Sequence, residues 1–524
     1  MADALQHLVA GYLARRHGVT DREAVDALLT AVAAGHCRAD VAPERLGAAI
    51  GSVLTADAAG VALGRHAHAE ARLAGRVCRL LAHAPVALTP ADVTLVRTRF
   101  PQAGATIDLQ AIAVVAALRN HLTVIAGGPG TGKTTVAATV VEALVARQPD
   151  LAVRLATPTG KAAARLRESL GASTLAPAMR ARLQAHTATL HRHLGVRPDG
   201  GPARHHAGNP LPCDLLILDE VSMIDVELLA DALDALPAHA RVVLLGDRHQ
   251  LASVEAGYAL GDLVAAAGTG AGAGLITACQ DAGLVPPSGT STAPLAEAVV
   301  TLQVSRRFRD DRGIGAWARA VNAGTLPTTD QPEVQRLSPE ALVDRAVDHA
   351  RQVLAAADPA TALARLSDFR LLTPIRAGRL GVEGLNRTIA ARLDLAPGAA
   401  GTPILITAND SGTGLANGDV GIIRDGRAWF TGDDGAPRAV TLARLPPWEP
   451  AWAMTIHKSQ GSEFTAVGIL LPPMEPTLLV RELLYTALTR ARASVLLAAE
   501  DSMLRTCVSA SAARRTGLAA LLRA

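Results

Sequence analysis

Residues 127–135 read Gly127-Gly128-Pro129-Gly130-Thr131-Gly132-Lys133-Thr134-Thr135, and this stretch decides the fold class. It matches the phosphate-loop pattern G-x-x-x-x-G-K-[ST], with an apolar strand predicted before it at Leu122–Ala126 and a helix predicted after it at Thr134–Val145. The glycines let backbone N–H groups turn towards a phosphate, where the helix N-terminus adds positive potential. Lys133 supplies a charge for the β- and γ-phosphates, and the Thr134 hydroxyl suits Mg²⁺. The stretch therefore predicts an ATP site in a parallel α/β domain.

Two further strand ends carry polar residues downstream. The apolar strand Leu215–Leu218 is followed by Asp219 and Glu220. We expect Asp219 to hold Mg²⁺ through water and Glu220 to polarise the attacking water, because adjacent acids favour hydrolysis over nucleotide storage. A strand predicted at Val242–Leu245 leads to Gln250, a candidate sensor of the γ-phosphate, although a surface glutamine after a turn is the simpler interpretation of that residue alone.

The amino-acid composition excludes several classes of protein. The chain has 524 residues, 49% of them hydrophobic, which is enough for several domains with separate cores. No apolar run reaches the ~18 residues of a membrane span, and the first residues lack the pattern of a secretory signal. The five cysteines have no C-x-x-C spacing, so neither a zinc site nor a disulfide framework is predicted. We therefore expect a cytoplasmic protein with no membrane partner.

The charged residues are more informative than their sum. A net charge of +3 is too small to indicate nucleic-acid binding. Of the 51 basic residues only three are lysines, namely Lys133, Lys161 and Lys458. A GC-rich genome explains the bias towards arginine. A lysine retained in such a chain is expected where a guanidinium group cannot replace it, and all three lie in sequence motifs.

The pattern of apolar residues divides the chain into three predicted domains. Residues 1–100 are predicted as short amphipathic helices at Ala2–Arg16, Arg22–Ala34, Pro43–Leu54 and Glu70–Ala82. Residues 101–300 form a first α/β domain, with an insert at 176–212 and a Gly/Ala/Ser/Thr/Pro-rich loop or linker at 266–294. Residues 301–524 form a second one, with a small β insertion at 401–445 marked by Gly-Asp and Asp-Gly turns.

Ten motifs in a fixed order carry a family resemblance. They are GGPGTGKTT, TPTGKAAARL, TLHRHLG, LLILDEVSMID, LLGDRHQLASVEAG, SRRF, GVEGLN, NGDVGI, AMTIHKSQGSEF and ELLYTALTRAR. From Ile107 to Leu497 the chain resembles superfamily-1 helicases, and within them the RecD family, the alpha subunit of exodeoxyribonuclease V. The resemblance implies an α/β fold with two RecA-like parallel-sheet motor domains, a small helical N-terminal domain and an SH3-like β insertion.

The resemblance also assigns roles around the nucleotide. Gln110 matches the glutamine that reads the adenine, and Arg307 and Arg490 match two arginines that reach the γ-phosphate from the second motor domain. A planar cation placed on developing phosphate charge acts only when the cleft closes. The family usually has an aromatic residue where this chain has Arg306. ATP and Mg²⁺ are the implied cofactors.

DNA contacts are expected in three segments. They comprise Thr157, Pro158, Thr159 and Lys161; Thr189 and His191; and Thr455, His457, Lys458, Ser459 and Gln460. Hydroxyls, turn N–H groups and cations suit a phosphate track, and helix capping by the same Thr and Ser residues is compatible with it. Glu463 is predicted to link these contacts to the nucleotide site. Base stacking or a core position are the alternatives for the aromatic residues near motifs, Phe308, Trp317, Trp452, Phe464 and Tyr485.

The family implies a function with partners. The chain is expected to be an ATP-dependent 5′-to-3′ DNA helicase that works on single-stranded and double-stranded DNA ends beside RecB-like and RecC-like subunits, in the repair of double-strand breaks. No nuclease motif is recognised, so cutting is expected in a partner subunit. The alternatives are a stand-alone RecD-like helicase, a phosphate-loop enzyme without nucleic acid, and a non-catalytic scaffold.

Overall fold

The computed structural model describes residues 12–13, 15–101, 106–171, 173, 175–197, 201–308, 312–327, 331–410, 412–432, 435–475, 478–512 and 514–523. The described strands are β1 (Leu54–Asp57), β2 (Gly60–Leu63), β3 (Leu122–Gly127), β4 (Val153–Thr157), β5 (Thr187–Thr189), β6 (Leu215–Leu218), β7 (Arg241–Gly246), β8 (Val299–Leu302), β9 (Val334–Arg336), β10 (Phe369–Thr373), β11 (Pro403–Ile406), β12 (Val420–Arg424), β13 (Arg427–Thr431), β14 (Pro437–Thr441), β15 (Trp448–Pro450), β16 (Ala453–Thr455), β17 (Phe464–Leu471) and β18 (Ala491–Ala499).

The described helices are α1 (Arg22–Ala33), α2 (Gly64–Leu81), α3 (Pro90–Arg99), α4 (Leu109–Arg119), α5 (Lys133–Arg147), α6 (Gly160–Gly171), α7 (Pro177–Ala185), α8 (Leu190–Leu194), α9 (Val226–Asp234), α10 (Ala259–Ala266), α11 (Ala273–Asp281), α12 (Gly313–Asn322), α13 (Pro339–Leu354), α14 (Pro359–Leu366), α15 (Val382–Arg392), α16 (Arg481–Leu488), α17 (Asp501–Ser509) and α18 (Leu518–Leu521). Short 3-10 turns cover Pro43–Ala49, Val221–Met223, Leu442–Arg444 and His457–Ser459.

The first motor domain is built on a parallel sheet of six strands in the order β5-β4-β6-β7-β3-β8. The central strand β3 is buried along its whole length. Leu122 and Val124 face one apolar cluster, and Ile125 faces the other cluster on the opposite side of the sheet. A strand in a parallel sheet that is covered on both faces must be apolar along its whole length. The central position of β3 therefore explains the continuous apolar residues before the phosphate loop.

The second motor domain has a parallel sheet of five strands in the order β16-β10-β17-β18-β9. Its three middle strands are β10, β17 and β18, which lie side by side in that order. Two separate apolar clusters cover its faces. The two parallel sheets confirm the predicted α/β fold with two RecA-like parallel-sheet domains.

The β insertion is an antiparallel sheet in the order β14-β13-β12-β11-β15. It encloses its own small core around Ile404, Ile406 and Phe430. The sheet extends to β15, beyond the predicted end at residue 445. Its turn at Ala416 lies against Gly160 of the first motor domain, since a Cβ on that glycine would come within 2.6 Å of the Ala416 Cβ.

The N-terminal region is less purely helical than expected. The predicted helix Pro43–Leu54 is wrong beyond its first half, because the 3-10 turn ends at Ala49 and β1 begins at Leu54. β1 pairs antiparallel with β2, and α2 then starts at Gly64, earlier than the predicted Glu70. Most of the predicted helix Ala2–Arg16 lies outside the described residues. The hairpin was missed because its two strands have only four residues each and are bounded by weak turn signals.

The segment 266–294 also departs from its prediction as a loop or linker. It contains α11, whose Leu275, Ala278 and Cys279 are buried in the core of the first motor domain. Small residues supply the apolar face here, so the composition resembles that of a loop although the periodicity supports a helix.

Residues 514–523, which we call the C-terminal strap, return from the second motor domain to the first. Leu518 and Leu522 join the core beneath α2. The Gly517 N–H donates to Glu70 over 2.9 Å, and Arg514 donates to the carbonyls of Glu255 and Gly257 over 2.7 Å each. In the part of the chain that the structure describes, no helix is long and apolar enough to cross a membrane.

Candidate functional site

Three adjacent strand ends of the first sheet bring the predicted nucleotide residues together. The order β6-β7-β3 places Leu218, Gly246 and Gly127 at one edge of a parallel sheet. The residues that follow these ends are Asp219 and Glu220, then Asp247 to Gln250, then the phosphate loop. Ligands of open α/β sheets bind at the carboxyl ends of the strands, so the topology assembles this edge as the site.

The phosphate loop turns through a glycine that no other residue replaces without strain. Gly132 has φ +89° immediately before α5, and a Cβ at this position would meet the Gln110 amide. Gln110 Nε2 donates to the Thr131 carbonyl over 2.6 Å, and Lys133 Nζ donates to the carbonyls of Gly127 and Gly128 over 2.5 and 3.0 Å. Loop, glutamine and lysine thus form one hydrogen-bonded unit at the start of a helix.

Asp219 and Glu220 form the acidic part of the edge. The Glu220 N–H donates to Asp219 Oδ1 over 2.8 Å, and burial and the Glu220 charge raise the pKa of Asp219. Glu220 adopts a left-handed backbone with φ 56° and ψ 40°. Such a conformation costs a non-glycine residue of order 1–3 kcal/mol and occurs mostly at functional sites. The strain points to Glu220 as a residue with a chemical task.

Gln250 is buried and held by the end of β7. Its Nε2 donates to Asp247 Oδ2 over 3.2 Å, and its Oε1 is a buried acceptor for which the described residues supply no donor. A buried unpaired oxygen is costly and requires an explanation. A buried, unpaired acceptor at this strand end fits a contact with a donor such as water, and the burial of Gln250 does not match the surface glutamine given as the alternative.

The second motor domain contributes arginines at this edge. Arg307 pairs with Glu463, and Arg490, only 2% exposed, donates to the carbonyls of Thr486 and Ser462 over 3.1 and 3.2 Å. Burial and the charges of Arg165, Arg492 and Arg490, in that order, lower the pKa of Arg307 to about 10. Burial also lowers the pKa of Arg490. Several cations held close together in a buried place favour an anionic ligand.

The segment that carries Arg307 lies directly on the phosphate loop. Ser305 Oγ donates to the Pro129 carbonyl over 2.9 Å, and the Arg306 N–H donates to the Gly130 carbonyl over 2.8 Å. Arg306 Nη2 also donates to Gln110 Oε1 over 2.9 Å. The residue that departs from the family pattern is therefore bonded to the glutamine predicted to read the adenine.

Two of the segments with predicted DNA contacts meet across the domain boundary. A Cβ on Gly461 would lie 3.5 Å from the Ala162 Cβ and 3.6 Å from the Thr159 hydroxyl oxygen. Lys161 Nζ lies 5.7 Å from the centre of the Phe464 ring. The turn after β4 and the turn after β16, one from each motor domain, are thus neighbours.

Several of the predicted DNA residues form the turns themselves. Thr157 and Ser459 are fully buried, and their hydroxyls donate to the carbonyls of Thr159 and Ile456 over 2.9 and 2.7 Å. Gln460 Nε2 donates across the boundary to the Leu251 carbonyl over 2.9 Å. These side chains shape the turns, as the capping alternative anticipated, and their contact with DNA stays a prediction.

The other residues of the predicted track differ in exposure, and Thr455 is buried. His191 and His457 are exposed. Lys458 pairs with Glu449 over 2.8 Å, and Thr455 Oγ1 accepts the Lys458 N–H over 3.1 Å. Thr189 caps α8 by accepting the Arg192 N–H over 3.3 Å. Pro158 and Thr159 complete the turn before α6. DNA contact through any of these residues likewise stays a prediction.

The aromatic side chains near the motifs belong to the core. Phe308, Trp317, Trp452, Phe464 and Tyr485 are all buried. The Tyr485 hydroxyl donates to Asp247 Oδ2 over 2.9 Å, so this residue connects the two motor domains. Stacking of bases on these five rings is excluded in this arrangement, which agrees with the low aromatic content.

Sequence reasoning missed two sets of contacts. Asp247 and Tyr485 organise Gln250, and Arg165 pairs with Glu463 beside Arg307. Asp247 follows an apolar strand, as Asp219 does, and this was the available signal. The sequence contains no signal for the role of Arg165, because an arginine on an amphipathic helix is usually a solvated surface residue.

The residues at this edge fit Mg²⁺ and a nucleotide. Mg²⁺ binds through one or two carboxylates together with substrate phosphates, and Asp219 and the Thr134 hydroxyl are suitable oxygen donors. Burial and the Glu220 charge raise the pKa of Asp219, and a cation bound beside it would favour the ionised form. Among the described residues no group of three or more His, Cys, Asp or Glu side chains has metal-binding geometry, which is compatible with a magnesium ion that is bound together with phosphate.

Comparison with known families defines the class. Residues 110–256 match the model of an AAA domain, and residues 450–498 match a UvrD-like helicase C-terminal domain. With two parallel-sheet domains and a phosphate loop at their boundary, these matches define a superfamily-1 helicase. The RecBCD enzyme subunit RecD of Mycolicibacterium smegmatis is 39% identical over 451 residues, 80% of this chain and 76% of the relative. The chain belongs to the RecD family.

A second relative and a solved structure also match part of the chain. The ATP-dependent RecD2 DNA helicase of Deinococcus radiodurans is 32% identical and matches 71% of this chain but 46% of its own length. The crystal structure of Pif1 helicase from Bacteroides with ADP-AlF3 and ssDNA has 17% identity, covers 76% of this chain and 93% of its own, and gives a TM-score of 0.40.

Proposed function

We propose that this chain is the 5′-to-3′ DNA motor of a RecBCD-type helicase–nuclease, acting on DNA ends in the cytoplasm during repair of double-strand breaks. One observation carries the proposal. The boundary where Ser305 bonds the phosphate loop is also the boundary where Gly461 packs against Thr159. Binding or hydrolysis of ATP at the phosphate loop therefore changes the distance between the two strand-binding turns, because both lie along this boundary.

The first motor domain supplies the hydrolytic groups. Lys133 and the loop N–H groups bind the β- and γ-phosphates, and Glu220 orients and deprotonates water. Asp219 and Thr134 would hold Mg²⁺, which would neutralise charge on the phosphates. Gln250 accepts a hydrogen bond from the attacking water through its free Oε1. Gln110, bonded to Thr131, orients the adenine.

The second motor domain responds to the phosphate. Arg307 and Arg490 approach it when the cleft closes, and their charges stabilise the charge that develops on the transferred group. After hydrolysis the attraction weakens and the cleft opens. A closed and an open state that hold the strand differently are sufficient for directed movement, because the nucleotide then shifts the population between them.

Strand contact involves one turn from each domain. The turn Thr157–Lys161 and the turn Thr455–Gln460 present N–H groups, hydroxyls and lysines, which suits the phosphate backbone without base preference. Thr189 and His191 extend this track on the first domain. The low aromatic content supports a grip on phosphates rather than on bases.

The partners follow from the family. RecB-like and RecC-like subunits are proposed because the named relatives are RecBCD subunits. The N-terminal region would dock on the RecC-like subunit. It is itself firmly held, since Arg72 of α2 pairs with Asp231 and Asp234 of α9 over 2.7 and 2.8 Å. The nuclease is assigned to a partner.

Unwinding of tailed duplexes tests the proposal. The full chain, alone and with its RecB-like and RecC-like subunits, is given duplexes with a 5′ or a 3′ single-stranded tail. We expect ATP-dependent unwinding from the 5′ tail by this chain, abolished in Lys133→Ala and retained in Arg392→Ala, which loses only an exposed ion pair with Asp344. Movement from the 3′ tail alone, or unwinding by Lys133→Ala, contradicts the proposal. Full activity without partners supports the stand-alone helicase instead.

A further inference from the structure

Glu463 is shared by three arginines from both motor domains. Its carboxylate is 5% exposed and pairs with Arg165 and Arg307 through Oε1 and with Arg492 through Oε2, the last over 3.1 Å. Arg165 lies on α6 of the first domain, whereas Arg307, Glu463 and Arg492 lie on the second. We call these four residues the Glu463 cluster.

In this cluster the Arg307 guanidinium is bonded to Glu463. An arginine whose guanidinium is bonded to Glu463 must leave this carboxylate to bind a phosphate in the way proposed above. A nearly buried carboxylate that loses its partner is strongly destabilised. Arg165 and Arg492 remain on Glu463 after Arg307 departs, so they lower the energetic cost of the exchange.

The electrostatics support an exchange rather than a fixed ion pair. Burial lowers the pKa of Arg165 to about 10, and the Arg490 and Arg492 charges add to that effect, while Glu220 and Asp219 oppose it. Burial and the charge of Arg165 lower the pKa of Arg307 to a similar value. Three guanidinium groups around one carboxylate repel one another, and transfer of one of them to a phosphate relieves this repulsion.

Helix α6 connects the cluster to the strand-binding turn. It begins at Gly160, within the turn predicted to contact DNA. Ala162 touches Gly461 of the second domain, and Arg165 follows three positions later on the same face of the helix. A displacement of the turn by a bound strand is therefore transmitted along one rigid helix to the guanidinium on Glu463.

We propose that Arg165 is a positioning residue, which keeps Glu463 paired while Arg307 moves to the nucleotide, and that α6 thereby makes ATP hydrolysis depend on a bound DNA strand. This inference rests on the proposed function. It adds to that function a residue of the first motor domain that acts on Arg307 through the shared carboxylate of Glu463.

The test compares ATPase rates of the full chain with and without saturating oligo(dT). In Arg165→Ala and Arg165→Gln we expect the stimulation by DNA to fall at least about tenfold, while the KM for ATP and the Kd for oligo(dT) change less than about threefold. Arg165→Lys keeps a charge but loses the planar fork, so it should recover part of the stimulation. The control Arg392→Ala should match the unmodified chain.

A double-mutant cycle separates this role from a structural one. If Arg165 acts through Glu463, the double variant Arg165→Ala/Glu463→Gln is no more defective in stimulation than Glu463→Gln alone. Stimulation within twofold of normal in a folded Arg165→Gln, or fully additive defects, overturns the inference. Loss of oligo(dT) binding in Arg165→Gln also overturns it, because Arg165 would then be a DNA contact. An unmodified chain with no DNA-stimulated ATPase overturns the proposed function itself.

Discussion

The Tyr485 hydroxyl donates to the Asp247 carboxylate over 2.9 Å and joins the second motor domain to the strand end that carries Gln250. Asp247 is buried and also accepts a hydrogen bond from the Gln250 amide over 3.2 Å. Burial and the Asp247 charge raise the pKa of Tyr485, so its hydroxyl stays a donor. The Asp247 carboxylate therefore orients Gln250, the predicted sensor, and also contacts the second motor domain through Tyr485.

Removal of the Tyr485 hydroxyl should weaken both the orientation of Gln250 and the contact between the two motor domains. In Tyr485→Phe a buried carboxylate loses one donor, which costs about 2 kcal/mol for a hydrogen bond to a charged group. We expect a lower urea midpoint and a several-fold lower DNA-stimulated ATPase rate. Tyr258→Phe is the matched control, because the Tyr258 hydroxyl bonds the Arg248 carbonyl within the first domain. Equal ATPase rates for the two variants would contradict the coupling.

Strand binding should depend on pH through Lys161. Burial, followed by the charge of Arg370, lowers the pKa of Lys161 to about 7, against the opposing charge of Asp419. The protonated form binds a phosphate, so affinity for oligo(dT) should fall as pH rises through 7, by up to about tenfold per pH unit. Lys161→Arg stays charged and should lose this dependence. Fluorescence anisotropy between pH 6 and 8 at constant ionic strength measures it.

The lysine of the other turn provides the comparison. Lys458→Arg should keep the pH dependence of the unmodified chain, because Lys458 already pairs with Glu449. A pH dependence that persists in Lys161→Arg would show that another group titrates, and would remove Lys161 from the predicted phosphate track.

Stability should also vary with pH through Asp262. Burial raises the pKa of this carboxyl group from 3.8 to about 7, although it accepts a hydrogen bond from Thr516. Between these two values the unfolded chain releases the proton and the folded chain keeps it. The free energy of unfolding therefore falls as pH rises from about 4 to about 7, by at most about 1.4 kcal/mol per pH unit from this group.

The variant Asp262→Asn isolates this contribution. Its carboxamide does not ionise, so the difference in unfolding free energy between variant and unmodified chain should shift in favour of the variant over this pH range and level off above 7. Urea midpoints at pH 5, 6, 7 and 8 measure the difference. A difference that is constant with pH would show that Asp262 ionises normally in the folded chain.

The C-terminal strap should stabilise the loop that follows Gln250. Arg514 donates to the Ser253 hydroxyl over 3.3 Å and to three carbonyls of the segment 253–257. Arg514→Ala should lower the free energy of unfolding by about 3 kcal/mol and accelerate hydrogen exchange in this segment. Arg523→Ala loses one bond, to the Ala265 carbonyl, and should leave exchange there unchanged. Identical exchange in both variants would contradict a role for the strap.

The nucleotide edge was predictable because its information is local. A phosphate loop between a buried strand and a helix specifies its own geometry, and the ends of β6 and β7 specify theirs through continuous apolar runs. The parallel order of the strands then brings Lys133, Asp219 and Gln250 together without further information.

The remaining features depend on pairs of residues far apart in the chain. Arg307 and Glu463 are separated by 156 positions, and Tyr485 and Asp247 by 238. No periodicity encodes such partners, so Arg165 is indistinguishable from a surface arginine in the sequence. The hairpin β1–β2 and helix α11 were missed for a different reason, since short strands and small residues give weak local signals.

The C-terminal strap also determines when the N-terminal region can finish folding during synthesis. Gly517 bonds Glu70, a residue synthesised 447 positions earlier, and Leu518 and Leu522 fill the core against which α2 packs. The nascent N-terminal region therefore emerges from the ribosome with an open apolar groove and a carboxylate whose bond to the Gly517 N–H cannot yet form. Its final packing must wait until nearly all of the second motor domain has been translated, because Gly517, Leu518 and Leu522 follow that domain in the chain.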